Sequence, residues 1–184
     1  QKGRTLSRVG ESGCGKLTVV RSLVRLVEPH SREVEIGGQI LCDMSAADLR
    51  RARAKMQMVF QDPLASLNPQ ITLMAQVAEP LCSFGTHKKT ALQNRVVELV
   101  DQVELPRSFL GRYPQELSGG KRQPVAIARA SVLNPKLILS DEAVNAPDVS
   151  VQGQVLNLMI GLQADLSFLF LFISHYMAVV ERVS

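Results

Sequence analysis

The segment Gly10-Glu-Ser-Gly-Cys-Gly-Lys16 has the composition and spacing of a loop that binds phosphate. Its glycines let the backbone curl closely enough for several N–H groups to point at one anion. A helix predicted to begin at Lys16 would add the positive end of its dipole, and the Lys16 side chain would add a mobile cation. An ordinary glycine-rich turn is the alternative, but a predicted strand and helix flank the segment as a phosphate cradle requires. The candidate ligand-binding residues here are Gly10, Glu11, Ser12, Gly13, Cys14, Gly15, Lys16, Leu17 and Thr18.

The residue after the cradle departs from the usual pattern. A loop of this kind normally continues with Ser or Thr, whose hydroxyl binds Mg²⁺. Leu17 has no oxygen to offer, and Thr18 points about 100° away around the helix. We therefore expect magnesium binding to be weakened.

A second motif is the apolar stretch that begins at Lys136 and ends in Asp141 and Glu142. At the carboxyl end of a buried strand, Asp141 could hold a metal ion through water, and Glu142 could polarise an attacking water molecule. A solvated acidic turn is a common alternative for such a segment on its own. We expect this acidic pair to lie on a strand next to the cradle's strand and to face the cradle.

A third motif, Leu117-Ser-Gly-Gly120, has Ser118 where a helix N-cap is expected. The N–H groups of that helix start and the serine hydroxyl could bind a second anion. Alone, the motif is equally typical of a cap and turn. Its order in the chain, between the cradle and the acidic strand end, favours the binding interpretation.

Alternating strands and helices must position these motifs. Helical spacing of apolar residues predicts one helix over Lys16 to Val27 and another over Lys89 to Val103. The other predicted elements are strands at Thr5 to Val9, Met56 to Phe60, Leu137 to Ser140 and Phe168 to Ser174, a hairpin over Glu33 to Leu41, and helices after Ser45, after Ser118, over Val151 to Gln163 and from Tyr176. The alternation predicts an α/β fold, with a parallel sheet covered by helices on both faces.

Composition excludes several classes of protein. The formal charge of +4 is small and dispersed, so it does not point to a nucleic-acid partner. Three widely separated cysteines fit a reduced protein without disulfides. The most apolar run, Leu166 to Ile173, has the length of a buried strand, so we expect no membrane span.

Taken together, the motifs resemble the ATP-binding subunits of ABC transporters, most closely the dipeptide, oligopeptide and glutathione importers. The resemblance covers essentially the whole chain, through GESGCGK, VFQDPLASLNP, RYPQELSGGKRQ, LILSDEAVNAPDVSVQGQVLNLM and LFISHYMAVVERVS. It implies a P-loop NTPase (RecA-like) core in two parts, 1–62 and 125–184, with an inserted α-helical subdomain at 63–124.

The resemblance also implies a role for each motif residue. Gly10 to Lys16 would be the Walker A loop, with Lys16 catalytic, and Ser118, Gly119 and Gly120 the signature that caps ATP on an opposing subunit. Asp141 would be the Walker B metal residue and Glu142 the catalytic base. Gln61 would sense Mg²⁺, Asp148 would be the D-loop acid, and His175 would contact the γ-phosphate. Without this context, Gln61 and His175 would be interpreted as a loop amide and a strand-end imidazole.

The function implied is ATP binding and hydrolysis that powers the import of peptides or glutathione. ATP and Mg²⁺ would be the cofactors, and a second ATPase subunit in a head-to-tail dimer and membrane permease subunits the partners. The location would be peripheral, on the cytoplasmic face of a bacterial inner membrane. The absence of the upstream strands and the final strands of the family suggests a fragment or a degenerate copy.

Two alternatives stay open. Leu17, and Pro124 within a predicted helix, fit a nucleotide-binding or interaction module with little turnover. A soluble ABC ATPase that acts on DNA or ribosomes would carry the same motifs.

Overall fold

The computed structural model describes residues 5–10, 14–28, 34–36, 39–85, 88–141 and 149–174. In chain order the elements are β1 (Thr5–Val9), α1 (Lys16–Leu23), β2 (Glu35–Ile36), β3 (Gln39–Ile40), α2 (Ala46–Ala54), β4 (Met56–Val59), α3 (Pro63–Ser66), α4 (Leu73–Ser83), α5 (Lys89–Gln102), α6 (Gly119–Ser131), β5 (Leu137–Asp141), α7 (Val149–Leu166) and β6 (Leu169–Ser174). Short 3₁₀ helices lie at Leu41–Asp43, Arg107–Phe109 and Pro114–Glu116.

Four strands form one parallel sheet in the order β1-β6-β5-β4. Thr5 is opposite Phe170, Ile138 is opposite Phe170 on the other side, and Val59 is opposite Ser140. The expectation that the strand of Asp141 neighbours the cradle's strand is therefore wrong, because β6 lies between β1 and β5. Sequence pattern does not fix strand order, since crossover helices allow any two parallel strands to be separated.

Apolar residues cover both faces of the sheet. Successive side chains of a strand point to opposite faces, and both faces of a parallel sheet are buried under helices. One face, with Ile138 and Phe170, belongs to one apolar cluster that also contains residues of α4, α5, α6 and α7. The opposite face, with Leu139 and Ile173, packs against α1 and α2. The predicted α/β fold with helices on both faces is confirmed.

The aromatic run near the C-terminal end of the described chain forms most of β6. Phe168, Phe170 and Phe172 are buried, and successive ring centroids lie 5.3 and 6.3 Å apart. Leu166 belongs instead to the end of α7. Within the described residues, no helix has the length and apolar character needed to cross a membrane.

Helix α1 is shorter than the predicted Lys16 to Val27. It ends at Leu23 because Arg25 takes a left-handed backbone conformation, with φ 54°, and its guanidinium donates hydrogen bonds to the carbonyl groups of Leu41 and Met44 at 3.4 and 3.2 Å. The side chains of Leu26 and Val27 are consequently 54% and 40% exposed.

Other predicted elements agree closely with the structure. Glu35 pairs with Ile40 in an antiparallel hairpin, and the Ser45 hydroxyl accepts a hydrogen bond from the Asp48 N–H at the start of α2. Helix α6 continues through Pro124, whose side chain is buried with most of its neighbours. The helix predicted from Tyr176 lies outside the described residues.

The middle of the chain is helical, as predicted. Helices α4, α5 and α6 contact one another and share a single apolar cluster with α7 and β6. The boundaries of a helical subdomain at 63–124 stay a prediction.

Candidate functional site

The cradle runs from the end of β1 to the start of α1. Gly15, immediately before the helix, has φ +83°, a left-handed conformation that costs other residues about 1–2 kcal/mol. At Gly10, an added Cβ would lie 2.9 Å from the Cys14 sulfur, so a larger residue there would require the Cys14 side chain to move. The backbone conformation of Gly15 is therefore the feature that specifically favours glycine.

Lys16 is the first residue of α1, and it is only 6% exposed. Its ammonium group donates a hydrogen bond to the Gly10 carbonyl and lies 3.7 Å from the Cys14 sulfur. A buried cation requires such acceptors, because dehydrating an unpaired charge is costly. The arrangement places a positive charge against the loop that precedes the helix.

The start of α1 is left without a side-chain cap. Gly15 occupies the N-cap position, and the first turn contains no acidic residue. The first N–H groups of a helix have no partner within the helix and attract anions. Leu17 is half-buried and Thr18 exposed on this turn, so the two side chains have different surroundings.

A cleft of about 440 Å³ lies beside the cradle and brings together residues from several elements. Asp141, the last residue of β5, is 6% exposed, and Gln61 follows the adjacent strand β4. The cleft is lined by Leu17, Arg21, Phe60, Gln61, Asp62, Ala65, Ser66 and Asp141. Leu17, Gln61 and Asp141, which occupy the positions expected to bind a metal ion, therefore line the same cleft.

The donor set in this cleft does not fit a magnesium site of the expected kind. Mg²⁺ requires oxygen ligands, which the Asp141 carboxylate and the Gln61 amide could provide. Leu17 presents a hydrocarbon where a hydroxyl is needed. Arg21, one helical turn further, adds a positive charge to the same cleft. Across the described ranges, no group of three or more His, Cys, Asp or Glu side chains is arranged to hold a metal ion.

The second candidate anion site, at the start of α6, is exposed. Ser118 occupies the N-cap position as predicted, but its side chain accepts no capping hydrogen bond. Gly119 has open space where a Cβ would be, and a Cβ at Gly120 would lie 3.5 Å from Val151. Ser118 and Gly119 are exposed, whereas Gly120 lies against α7.

The remaining predicted site residues lie outside the described part of the chain. They are Glu11, Ser12, Gly13, Glu142, Asp148 and His175.

Sequence reasoning missed two arginines near this site. Arg21 lines the cleft, and its helical spacing of four residues from Leu17 could have indicated this. Arg129 donates a hydrogen bond to the Ser66 carbonyl at the edge of the cleft. No sequence signal indicates that contact, because the two residues lie 63 positions apart.

Comparison with known proteins places the chain among close relatives. Residues 1–145 match the family described as ABC transporter. The chain is 50% identical over 182 residues to the glutathione import ATP-binding protein GsiA of Salmonella typhimurium, covering 99% of this chain and 29% of that protein. It is 49% identical over 188 residues to the oligopeptide transport ATP-binding protein AppF of Bacillus subtilis, covering 100% of this chain and 56% of AppF. The chain thus spans 29% of the length of GsiA and 56% of the length of AppF.

Solved structures share the fold. A dimeric ATP-binding cassette in a post-hydrolysis state, bound to ADP and Pi, superposes with a TM-score of 0.87 at 30% identity, over 100% of this chain and 79% of that one. A transporter cassette of Clostridium perfringens, at 21% identity, has the same TM-score over 98% of this chain and 70% of its own, which shows likeness of fold alone. With the glycine-rich loop, the strand order and these matches together, the chain belongs to the ABC transporter family, as an ATP-binding cassette.

Proposed function

We propose that this chain is the nucleotide-binding part of an ABC importer that binds and hydrolyses ATP. The observation that carries the proposal is the placement of Lys16. Its ammonium is held against Gly10 at the start of α1, beside the cleft that contains Asp141 and Gln61. A triphosphate bound there would receive hydrogen bonds from the backbone of the loop and positive charge from Lys16 and the helix start.

We propose peptides or glutathione as the imported solutes, because the related proteins are named for glutathione import and oligopeptide transport. Permease subunits would be the membrane partners, and the cassette would be peripheral on the cytoplasmic face of a bacterial inner membrane. The helical segment 63–124 would contact those subunits.

We propose further that two cassettes act as a head-to-tail pair. The exposed start of α6, with Ser118 and Gly119, has N–H groups and a hydroxyl suited to a phosphate held by the other subunit. A solved relative of this fold is dimeric and bound to ADP and Pi, which supports the proposal.

In hydrolysis, Glu142 would accept a proton from the water that attacks the terminal phosphate, and His175 would contact that phosphate. The bond between the terminal phosphorus and the bridging oxygen would break, so that ADP and inorganic phosphate are released. Asp148 would lie near the nucleotide of the opposing subunit. Lys16 would neutralise charge that develops on the phosphate oxygens. Leu17 leaves this site without one of the oxygen ligands that a divalent cation would need.

Leu17 also favours a second candidate function. A cassette that binds ATP without efficient turnover would still close and open with nucleotide as an interaction module. This possibility differs from the first only in the rate of phosphate release.

Titration calorimetry with ATP tests nucleotide binding directly. We expect the wild-type chain to bind ATP and the Lys16→Met variant to bind at least about tenfold more weakly, since one charge-assisted contact is lost. Lys136→Met is a matched control, because Lys136 is exposed and precedes β5 at the opposite end of the strand from Asp141. Absence of ATP binding by folded wild-type chain would refute the proposal.

Phosphate release then separates the two candidate functions. Turnover that requires Glu142 supports the importer motor, and its loss in Glu142→Gln is the expected result. Tight ATP binding with no release above that of Glu142→Gln would instead support the interaction module.

A further inference from the structure

Helix α6 connects the second anion site to the cleft beside the cradle. Its N-terminus follows Ser118, and Arg129 lies in its last turn. The Arg129 Nη1 atom donates a hydrogen bond to the Ser66 carbonyl oxygen at 2.6 Å. Ser66 lines the same cleft as Gln61 and Asp141. Helix α6 therefore begins at the candidate anion site of Ser118 and contacts the edge of the cleft beside the cradle.

The surroundings of Arg129 are unusual for a stabilising arginine. Burial lowers the pKa of its guanidinium, with only a partly opposing attraction from Glu79. Among the salt bridges of the described residues, none includes Arg129. A buried charge without a close counterion contributes little net stability. What the guanidinium does provide is a directed contact with the backbone at Ser66.

The segment that contains Ser66 makes several side-chain contacts of this kind, and Leu67 next to it is buried in the apolar cluster. Helix α3 spans only Pro63–Ser66, too short to be stable by itself. Asp62 caps it by accepting hydrogen bonds from the N–H groups of Leu64 and Ala65 at 2.8 and 3.2 Å. Beyond it, the Gln76 side chain donates to the Asn68 carbonyl at 2.5 Å.

We infer that Arg129 is a positioning residue that fixes the Gln61 segment to α6. Displacement of α6 at Ser118 would then be transmitted through Arg129 and Ser66 to the side of the cleft that contains Gln61. The attachment of the Gln61 segment to α6 by Arg129 is inferred from the geometry alone. Its effect on nucleotide binding rests on the proposed function.

Hydrogen exchange measured by mass spectrometry on the full chain tests the contact without nucleotide. In Arg129→Met we expect the amides of Leu64 to Leu67 to exchange at least about tenfold faster, because opening of α3 becomes easier. The amides of α1 should keep their wild-type rates. Arg129→Lys, which retains the charge and one donor direction, should give an intermediate rate.

Arg95→Met is the matched control. Arg95 also lies partly buried, with 17% of its side chain exposed, and its Nε donates to the Val132 carbonyl at 3.4 Å, at the end of α6. It does not line the cleft. We expect this variant to leave exchange at Leu64 to Leu67 unchanged.

A second arm adds ATP to each variant. In the wild type we expect ATP to slow exchange in both 62–68 and the first turns of α6. In Arg129→Met the affinity should remain within about threefold, while protection of 62–68 is lost. Failure of wild-type chain to bind ATP would refute the proposed function and leave the nucleotide-free comparison intact.

Wild-type exchange rates at Leu64 to Leu67 in Arg129→Met would overturn the inference. Equal acceleration in Arg95→Met would also overturn it, because general loosening of α6 would then be the cause. If Arg129→Met does not fold, Arg129→Lys decides, and wild-type rates in that variant would overturn the inference.

Discussion

Leu17 lies on the first turn of α1 and lines the cleft with Gln61 and Asp141. Replacing it with serine restores a hydroxyl at a position where cradles of this kind bind a divalent cation. We expect Leu17→Ser to raise the ratio of ATP affinity in Mg²⁺ to that in chelator by about tenfold or more. Calorimetric titrations under both conditions measure this ratio.

Leu17→Ala is the control for that experiment, since it removes the same hydrocarbon without adding an oxygen. An equal rise in both variants would show that relief of crowding, and not ligation, is responsible.

Gly15 provides a second test at the scale of a single residue. Its φ of +83° is unfavourable for any residue with a Cβ, although nothing lies within 4 Å of that position. We expect Gly15→Ala to lower the free energy of unfolding by about 1–2 kcal/mol through backbone strain alone. Urea denaturation measures the loss.

Gly111→Ala serves for comparison, because Gly111 has equally open space and no positive φ. A loss of similar size there would contradict the explanation by strain.

The sequence predicted the motif residues well and their contacts less well. Glycine spacing indicates Lys16, and a strand that ends in carboxylates indicates Asp141, because both patterns have a direct chemical meaning. Gln61 is indicated only by the family resemblance. The contact of Arg129 with Ser66 depends on packing between segments far apart in the chain. Ser118 was identified as an N-cap, but cap propensity did not predict that its hydroxyl would make no capping bond.

At the scale of elements, α6 contains a buried proline, Pro124. Interior proline removes the hydrogen bond to the carbonyl of Gly120 and costs about 3 kcal/mol. Alanine would restore that bond but lose about two buried methylene groups, at about 0.8 kcal/mol each. We therefore expect Pro124→Ala to stabilise the fold by about 1–2 kcal/mol in urea denaturation.

The same substitution at Pro63 is the comparison. Pro63 occupies the first position of α3, where a helix lacks that hydrogen bond in any case. A gain at Pro63 as large as that at Pro124 would contradict the argument from the interior hydrogen bond.

The end of α5 is held by an exposed ion pair. Arg107 donates to both carboxylate oxygens of Asp101, at 2.9 and 2.6 Å, and this lowers the pKa of Asp101 from its ordinary 3.8. A carboxyl group whose pKa is lower in the folded state stabilises the fold at pH values above its unfolded-state pKa. This stabilisation is lost as the pH falls through the folded-state pKa. The urea midpoint of wild type should therefore exceed that of Asp101→Asn at pH 7, and the difference should disappear below the folded-state pKa.

High salt should reduce the same difference at pH 7, because both side chains are exposed. A difference that persists at low pH and in high salt would indicate a role for Asp101 other than this ion pair.

Most elements could be predicted because their apolar periodicity reflects burial. The clearest failure is the end of α1, where the periodic residues Leu26 and Val27 are exposed. Helix α1 ends early because Arg25 is bound by carbonyl groups from the 3₁₀ segment and its C-cap, a tertiary contact that no local pattern records.

At the scale of the whole molecule, two apolar clusters share one sheet. Val96 of α5 belongs to the cluster on one face, and Leu139 of β5 to the cluster on the other. We expect Val96→Ala and Leu139→Ala each to lower the midpoint of one common unfolding transition, with a cost of about 2–5 kcal/mol for the leucine. Circular dichroism and hydrogen exchange during urea unfolding measure whether the transitions coincide.

Separate transitions, one shifted only by Val96→Ala, would show that the helical segment unfolds independently. That result would support the predicted subdomain at 63–124 as a cooperative unit of its own.

The position of β6 between β1 and β5 has a steric consequence. Neighbouring strands lie about 4.8 Å apart, so the cradle's strand and the strand of Asp141 are separated by nearly 10 Å. β6 thus acts as a spacer, and the distance between the strand that precedes the cradle and the strand that ends in Asp141 is set by the order of the strands. We expect a phosphate group of the proposed nucleotide to lie across this interval, beyond the carboxyl ends of the strands.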